Sequence, residues 1–145
     1  ELVGCIRNTM SYLKTRIPAT IHLETNITDT DEIYLPLNVE LFEWVIENLC
    51  KNAVDAIGTN GTIRITIESD DKNVGIEISD TGKGISKSDF KNVFKPGYTT
   101  KNRGWGLGLS LAKRIVEEYH GGKIFVKSSE IGKGTTFRIN LKKIH

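Results

Sequence analysis

Val74-Gly75-Ile76-Glu77-Ile78-Ser79 alternates apolar and polar residues, the period of a half-buried strand, and the alternation breaks at Asp80-Thr81-Gly82-Lys83-Gly84-Ile85. A carboxylate is thus delivered at a strand end, where the backbone becomes permissive. A polar interval follows, ending in Phe94-Lys95-Pro96-Gly97-Tyr98-Thr99-Thr100-Lys101, and then Gly104-Trp105-Gly106-Leu107-Gly108-Leu109 opens a helical pattern through Leu111, Ala112, Ile115 and Val116. A helix beginning at those glycines would aim free N–H groups and a positive dipole end at whatever lies beside them. A carboxylate on one side, a helix start on the other and a cationic, hydroxyl-rich loop between them suit a ligand with a hydrogen-bonding base at one end and phosphates at the other.

The remainder of the chain supplies a scaffold for that stretch. Leu2, Val3, Ile6, Met10 and Leu13 fall at helical spacing until Pro18, and Thr20 to Thr25 and Ile33-Tyr34-Leu35 read as strands. The longest helix follows Asn38 as N-cap, with Glu40 in its first turn and an apolar face of Leu41, Phe42, Val45, Ile46, Leu49, Ala53, Ala56 and Ile57, and stops at Gly58. Thr62 to Glu68 with Val74 to Ser79 predicts one hairpin, and Lys123 to Lys127 with Thr135 to Leu141 another, turning at Gly132-Lys133-Gly134. This order predicts one α+β domain over residues 1–145, a mixed and mostly antiparallel sheet with helices on one face.

At about 100° per residue, Asn48 and Asn52 point within roughly 40° of each other, with Asp55 close by, at the edge of the apolar face. Spacing allows two readings: asparagines capping neighbouring loops, or amide oxygens holding a hydrated Mg2+, which needs few protein ligands. The three histidines carry less. His22 alternates outward on its strand, His120 beside Gly121 and Gly122 reads as a helix C-terminal residue favoured by the dipole, and His145 is terminal.

Twenty basic against eighteen acidic residues leave a formal charge of +2, far from the concentrated basicity of a nucleic-acid binder. Cys5 and Cys50 are too few and too far apart for a disulfide framework or a metal cluster, and read as reduced core thiols of a cytoplasmic protein. No apolar run approaches the ~20 residues that span a bilayer, so no membrane contact is expected of this domain. Beginning at Glu1 without methionine, the chain reads as a piece of something longer.

In combination and order, the Asn48-x-x-x-Asn52-Ala53 helix, Asp80-x-Gly82-x-Gly84, Phe94-x-Pro96-Gly97-x-Thr99-Thr100-Lys101, Gly104-x-Gly106-Leu107-Gly108-Leu109 and Gly132-x-Gly134-Thr135-x-Phe137 resemble the asparagine, glycine and phenylalanine boxes of sensor histidine kinases. The resemblance covers nearly the whole chain. It implies the two-layer Bergerat α/β sandwich, with a mobile lid over the nucleotide, that those kinases share with gyrase, chaperone and MutL ATPases. Asp80 would then accept a hydrogen bond from the adenine amine, and Gly82 and Gly84, followed by Ile85, would let the backbone approach the base. Asn52 would be the Mg2+ ligand with Asn48 one turn earlier. The lid would run from Asp89 to Arg103, loosely held from about Lys91, with Tyr98, Thr99, Thr100, Lys101 and Arg103 toward the nucleotide. Gly104, Gly106, Leu107, Gly108 and Leu109 would set the helix start against the phosphates, and Thr135 would line the adenine side.

The same resemblance sharpens the class. Hydrolysing relatives carry a glutamate four residues before the Mg2+ asparagine; here Asn48 stands there and cannot take a proton, while Glu47 is turned about 100° away. The implied chemistry is transfer of the γ-phosphoryl group of ATP, through Asn48, Asn52 and Lys101, to a histidine on a separate dimerising helical hairpin. From there it would pass to a response regulator. Neither His22, His120 nor His145 has a phosphoacceptor's context. The implied parent is a homodimer of a class whose members include membrane-anchored sensors, and Trp105 departs from the small residue many relatives have.

Overall fold

In the computed structural model, which describes residues 2–27, 33, 35–96 and 108–143, local sequence signals set most of the element boundaries. Helix α1 (Leu2–Lys14) buries Leu2, Cys5, Ile6, Thr9, Met10 and Leu13, a stripe repeating every three or four residues. Strand β1 (Ile21–Ile27) follows. Helix α2 (Val39–Ile57) starts where the Asn38 side chain accepts the Leu41 N–H at 3.1 Å. It ends at Gly58, whose φ of +85° a side chain would resist.

Strands β2 (Gly61–Ser69) and β3 (Asn73–Asp80) form the first hairpin. Its turn is held by Asp70, whose carboxylate accepts the Asn73 and Lys72 N–H groups. Short 3-10 turns occupy Lys87–Asp89 and Asn92–Phe94. Helix α3 (Gly108–Arg114) continues as a wider π turn over Ile115–Tyr119, and strands β4 (Lys123–Glu130) and β5 (Gly134–Lys142) close the chain.

The sheet order is β1-β2-β3-β5-β4, with β1 parallel to β2 and the other pairs antiparallel, so the mixed, mostly antiparallel sheet is as expected. Side chains alternate across it. One face carries Ile67, Ile76, Ile139 and Ile124 in one row and Ile65, Ile78, Phe137 and Val126 in the next. α2 lies on this face and α1 packs on α2, which places Phe42, Val45, Ile46, Leu49, Cys50 and Ala53 in the same core. The opposite face is polar. There the Arg138 guanidinium sits against Gly75, where a Cβ would collide with it, and bonds Glu77, Glu68 and Asn140 while Lys127 bonds Glu77.

Four expectations change. Ile33 and Leu35 form no strand: Ile33 is 1% exposed, plugs the core, and its carbonyl accepts the Leu2 N–H, a fixed point that needs no sheet partner. The interval from Lys91 begins anchored, because Val93 and Phe94 are buried and Phe94 meets Phe137 edge-on at 5.9 Å. Leu111, placed on the apolar pattern, is 42% exposed. His120 is not a free cation at a helix end: its Nε2 accepts the Asn38 N–H at 3.0 Å, so Nδ1 carries the proton and donates to the Ile115 carbonyl at 2.9 Å. The neutral ring thus ties the start of α2 to the end of α3, edge-on to Phe42. His22 is exposed, and Cys5 and Cys50 are buried free thiols, burial and then Glu47 pushing Cys50 up to about 12.

Candidate nucleotide site

The apolar face of the sheet ends in a polar row. Continuing the two rows above, Ile63, Asp80, Thr135 and Ser129 stand side by side across β2, β3, β5 and β4. Asp80 occupies the position that Ile78, Ile76 and Val74 occupy further along β3, so its carboxylate is directed toward the helix layer. Burial raises its pKa, and hydrogen bonds from the backbone N–H groups of Gly82 and Thr135 only partly offset this. The Gly82 bond measures 2.8 Å. A partly dehydrated carboxylate held by two N–H groups is pre-set to accept a further donor.

The turn after Asp80 is packed from both sides. At Gly82 a Cβ would come 2.6 Å from the carbonyl carbon of Ala56 on α2, and the Lys83 N–H donates to the Ala56 carbonyl at 3.0 Å. Gly84, at φ +81°, leaves room for the Glu130 carbonyl. The glycine requirement at both positions is therefore met by protein packing. The Gly132 N–H donates to the Lys83 carbonyl at 2.8 Å, and Gly134, at φ +139°, lets the second hairpin pass against the Asp80 carbonyl. The two glycine turns form one clamped unit.

Along α2, three successive turns present Asn48, Asn52 and Ala56. Ala56 backs Gly82, and Asn48 Oδ1 lies against Gly108, 2.7 Å from where a Cβ there would sit. Asn48 Nδ2 donates to the Trp44 carbonyl at 3.3 Å. Half-buried Asn52 stands between these two contacts, on the stretch of α2 that links the Asp80 turn to the start of α3. An amide oxygen is the donor type a largely hydrated Mg2+ takes, and among the described residues no cluster of three His, Cys, Asp or Glu side chains competes with it.

The structure thus joins Asp80, Gly82, Gly84, Ile85 and Thr135 in one cluster and sets Asn48 against Gly108, with Asn52 between them on α2 and Leu109 next to Gly108; Tyr98, Thr99, Thr100, Lys101, Arg103, Gly104, Trp105, Gly106 and Leu107 lie outside the described residues. Ser129 was not foreseen. Its Oγ contacts the Ile85 N–H at 2.7 Å, the Gly134 carbonyl at 3.0 Å and Thr135 Oγ1 at 2.8 Å. A bulge between Val126 and Ser128 moves it there: continued alternation from Ile124 and Val126 would have put Ser128 opposite Thr135.

No helix among the described residues is long and apolar enough to cross a membrane. Residues 38–145 match the model of the histidine kinase-, DNA gyrase B- and HSP90-like ATPases. Sensor histidine kinase ZraS of Escherichia coli is 45% identical over 95 residues, 66% of this chain, and sporulation kinase E of Bacillus subtilis 41% identical over 116 residues, 79% of it. The chain spans only 20% and 15% of those relatives' lengths. The catalytic domain of histidine kinase ThkA superposes with a TM-score of 0.86 at 30% identity, over 98% of this chain and 94% of that one. ThkA has also been solved in complex with response regulator protein TrrA, and there the TM-score is 0.85 at 28% identity, covering 99% of this chain and 41% of that one. The chain belongs to the histidine kinase-, DNA gyrase B- and HSP90-like ATPase family, as a catalytic domain of the sensor histidine kinase type.

Proposed function

We propose that this chain binds Mg·ATP and presents the γ-phosphoryl group to a histidine carried by a separate helical hairpin, from which it passes to a response regulator. The observation that carries the adenine end is Asp80: a carboxylate on the helix-covered face, fixed by the Gly82 and Thr135 N–H groups. Such a group accepts from an exocyclic amine, whereas a base with a carbonyl oxygen there leaves it unpaired and repelled. Asn52 would hold the Mg2+, whose charge when bound neutralises phosphate oxygens. Lys101, from its place in the sequence, would add a second charge.

Phosphotransfer is favoured over hydrolysis by Asn48. Its amide is engaged with the Trp44 carbonyl and set against Gly108, and an amide takes no proton from water. ATP is then held until a better nucleophile arrives, which makes the domain alone a poor kinase. The parent protein would act as a homodimer in which two hairpins meet.

The test is phosphotransfer from γ-labelled ATP by this chain, with and without an added phosphoacceptor hairpin. Label on the hairpin histidine, with little phosphate released in its absence, is the expected result. Steady phosphate release without the hairpin, abolished by Asn52→Ala, would identify a hydrolase instead.

A further inference from the structure

Taken together as three hydrogen bonds, the contacts of Ser129 admit one assignment of their hydrogens. The Ile85 N–H can only donate and the Gly134 carbonyl can only accept, so the single Ser129 proton goes to Gly134. The third contact, to Thr135 Oγ1, then has to run from Thr135 to Ser129. The Thr135 hydroxyl therefore spends its proton on Ser129 and keeps only lone pairs for anything else. Thr135 is 4% exposed and stands directly opposite Asp80. Side by side, the two residues offer the base end of the site acceptors alone.

Building on the adenine reading of that end, we infer that Ser129 is a positioning residue for base selection: it holds the Gly82–Ile85 turn through the Ile85 N–H and turns Thr135 into an acceptor, so that a base bearing an amine is taken and one bearing a carbonyl is refused. Without Ser129 Oγ the Thr135 proton is released and can serve a carbonyl oxygen. Discrimination falls although Asp80 and Thr135 are both still present. Ser129 does this without touching the ligand.

The experiment is calorimetric titration of two Mg-loaded, non-hydrolysable nucleotides, the adenosine analogue and its inosine counterpart, into the 145-residue chain. Ser129→Ala is expected to lower the adenosine-to-inosine affinity ratio by about tenfold, and Ser129→Thr, which keeps the hydroxyl, to hold it within about twofold. Thr135→Val is expected to lower the ratio too, and adding Ser129→Ala to it to change nothing further, since the effect runs through Thr135. A wild-type ratio in Ser129→Ala, or a second full drop on the Thr135→Val background, overturns the assignment and leaves the adenine site standing. Absence of adenosine-analogue binding to the wild type overturns both. Should Ser129→Ala fail to fold, Ser129→Cys, whose thiol is only a weak donor and acceptor, takes its place: a lowered ratio is expected, and a wild-type ratio contradicts the assignment.

Discussion

Asp80 and Thr135 face each other across β3 and β5, the Thr135 N–H donating to the Asp80 carboxylate, at the point where the apolar face of the sheet turns polar. The arrangement works against the empty protein. A carboxylate drawn into partial burial is held there by two N–H groups, and the ligand's amine would complete its shell.

The cost to the empty protein is measurable. Asp80 titrates above its ordinary value of 3.8 when folded, burial being the cause. Between the unfolded and folded values the native state binds more protons, so stability falls as pH rises through that window and stays lower at neutrality. Asp80→Asn is expected to raise the Tm of the ligand-free chain at pH 7 and to flatten the slope just above pH 3.8. Thermal melts across pH check this; a lower Tm at pH 7 would count against it.

Gly82 and Gly121 separate space from backbone conformation. A Cβ at Gly82 would press on the Ala56 backbone, whereas Gly121, at φ +65°, has nothing within 4 Å. Gly82→Ala is expected to cost about 2–3 kcal/mol and to weaken nucleotide binding. Gly121→Ala is expected to cost about 1–2 kcal/mol and leave binding unchanged. Urea titrations with binding measured in parallel distinguish them.

Much of this was legible in the sequence because the signals were local. Asn38 and Gly58 mark the ends of α2 through their own capping chemistry, and Val74, Ile76 and Ile78 put Asp80 on the covered face by parity alone. Long-range facts were not legible. Nothing in Thr20 to Thr25 says that β1 lies parallel to β2, and nothing in Ile33-Tyr34-Leu35 distinguishes a strand from a core plug. Ser129 was hidden because one bulged residue reverses the parity on which the alternation of β4 was read. His120 read as a dipole-favoured helix end because its partner, Asn38, is distant in sequence.

The polar face of the sheet carries its own pH dependence. Burial alone would raise Glu77, but the hydrogen bonds and charges of Lys127 and Arg138 outweigh it and hold the carboxyl below its ordinary 4.5. Its contribution is therefore complete above 4.5 and is lost as pH falls through the lower folded value. Glu77→Gln is expected to cost roughly 1.5–3 kcal/mol at pH 7 and to lessen acid sensitivity. Denaturation midpoints at pH 7 and pH 3 check both statements.

His120 joins the first residue before α2 to the π turn that ends α3, two elements whose other ends carry Asn52 and Gly108. His120→Ala is expected to cost about 1–3 kcal/mol, read as a lower urea midpoint at unchanged m-value. A midpoint equal to wild type would show the bridge to be idle.

The most direct measurement of the central claim is calorimetric titration of a non-hydrolysable ATP analogue into the wild-type chain and Asp80→Asn, each with and without Mg2+. The account predicts Mg-assisted binding to the wild type and a loss of at least about tenfold in Asp80→Asn, with that variant still folded. Equal binding to both proteins, or none to a folded wild type, would contradict it.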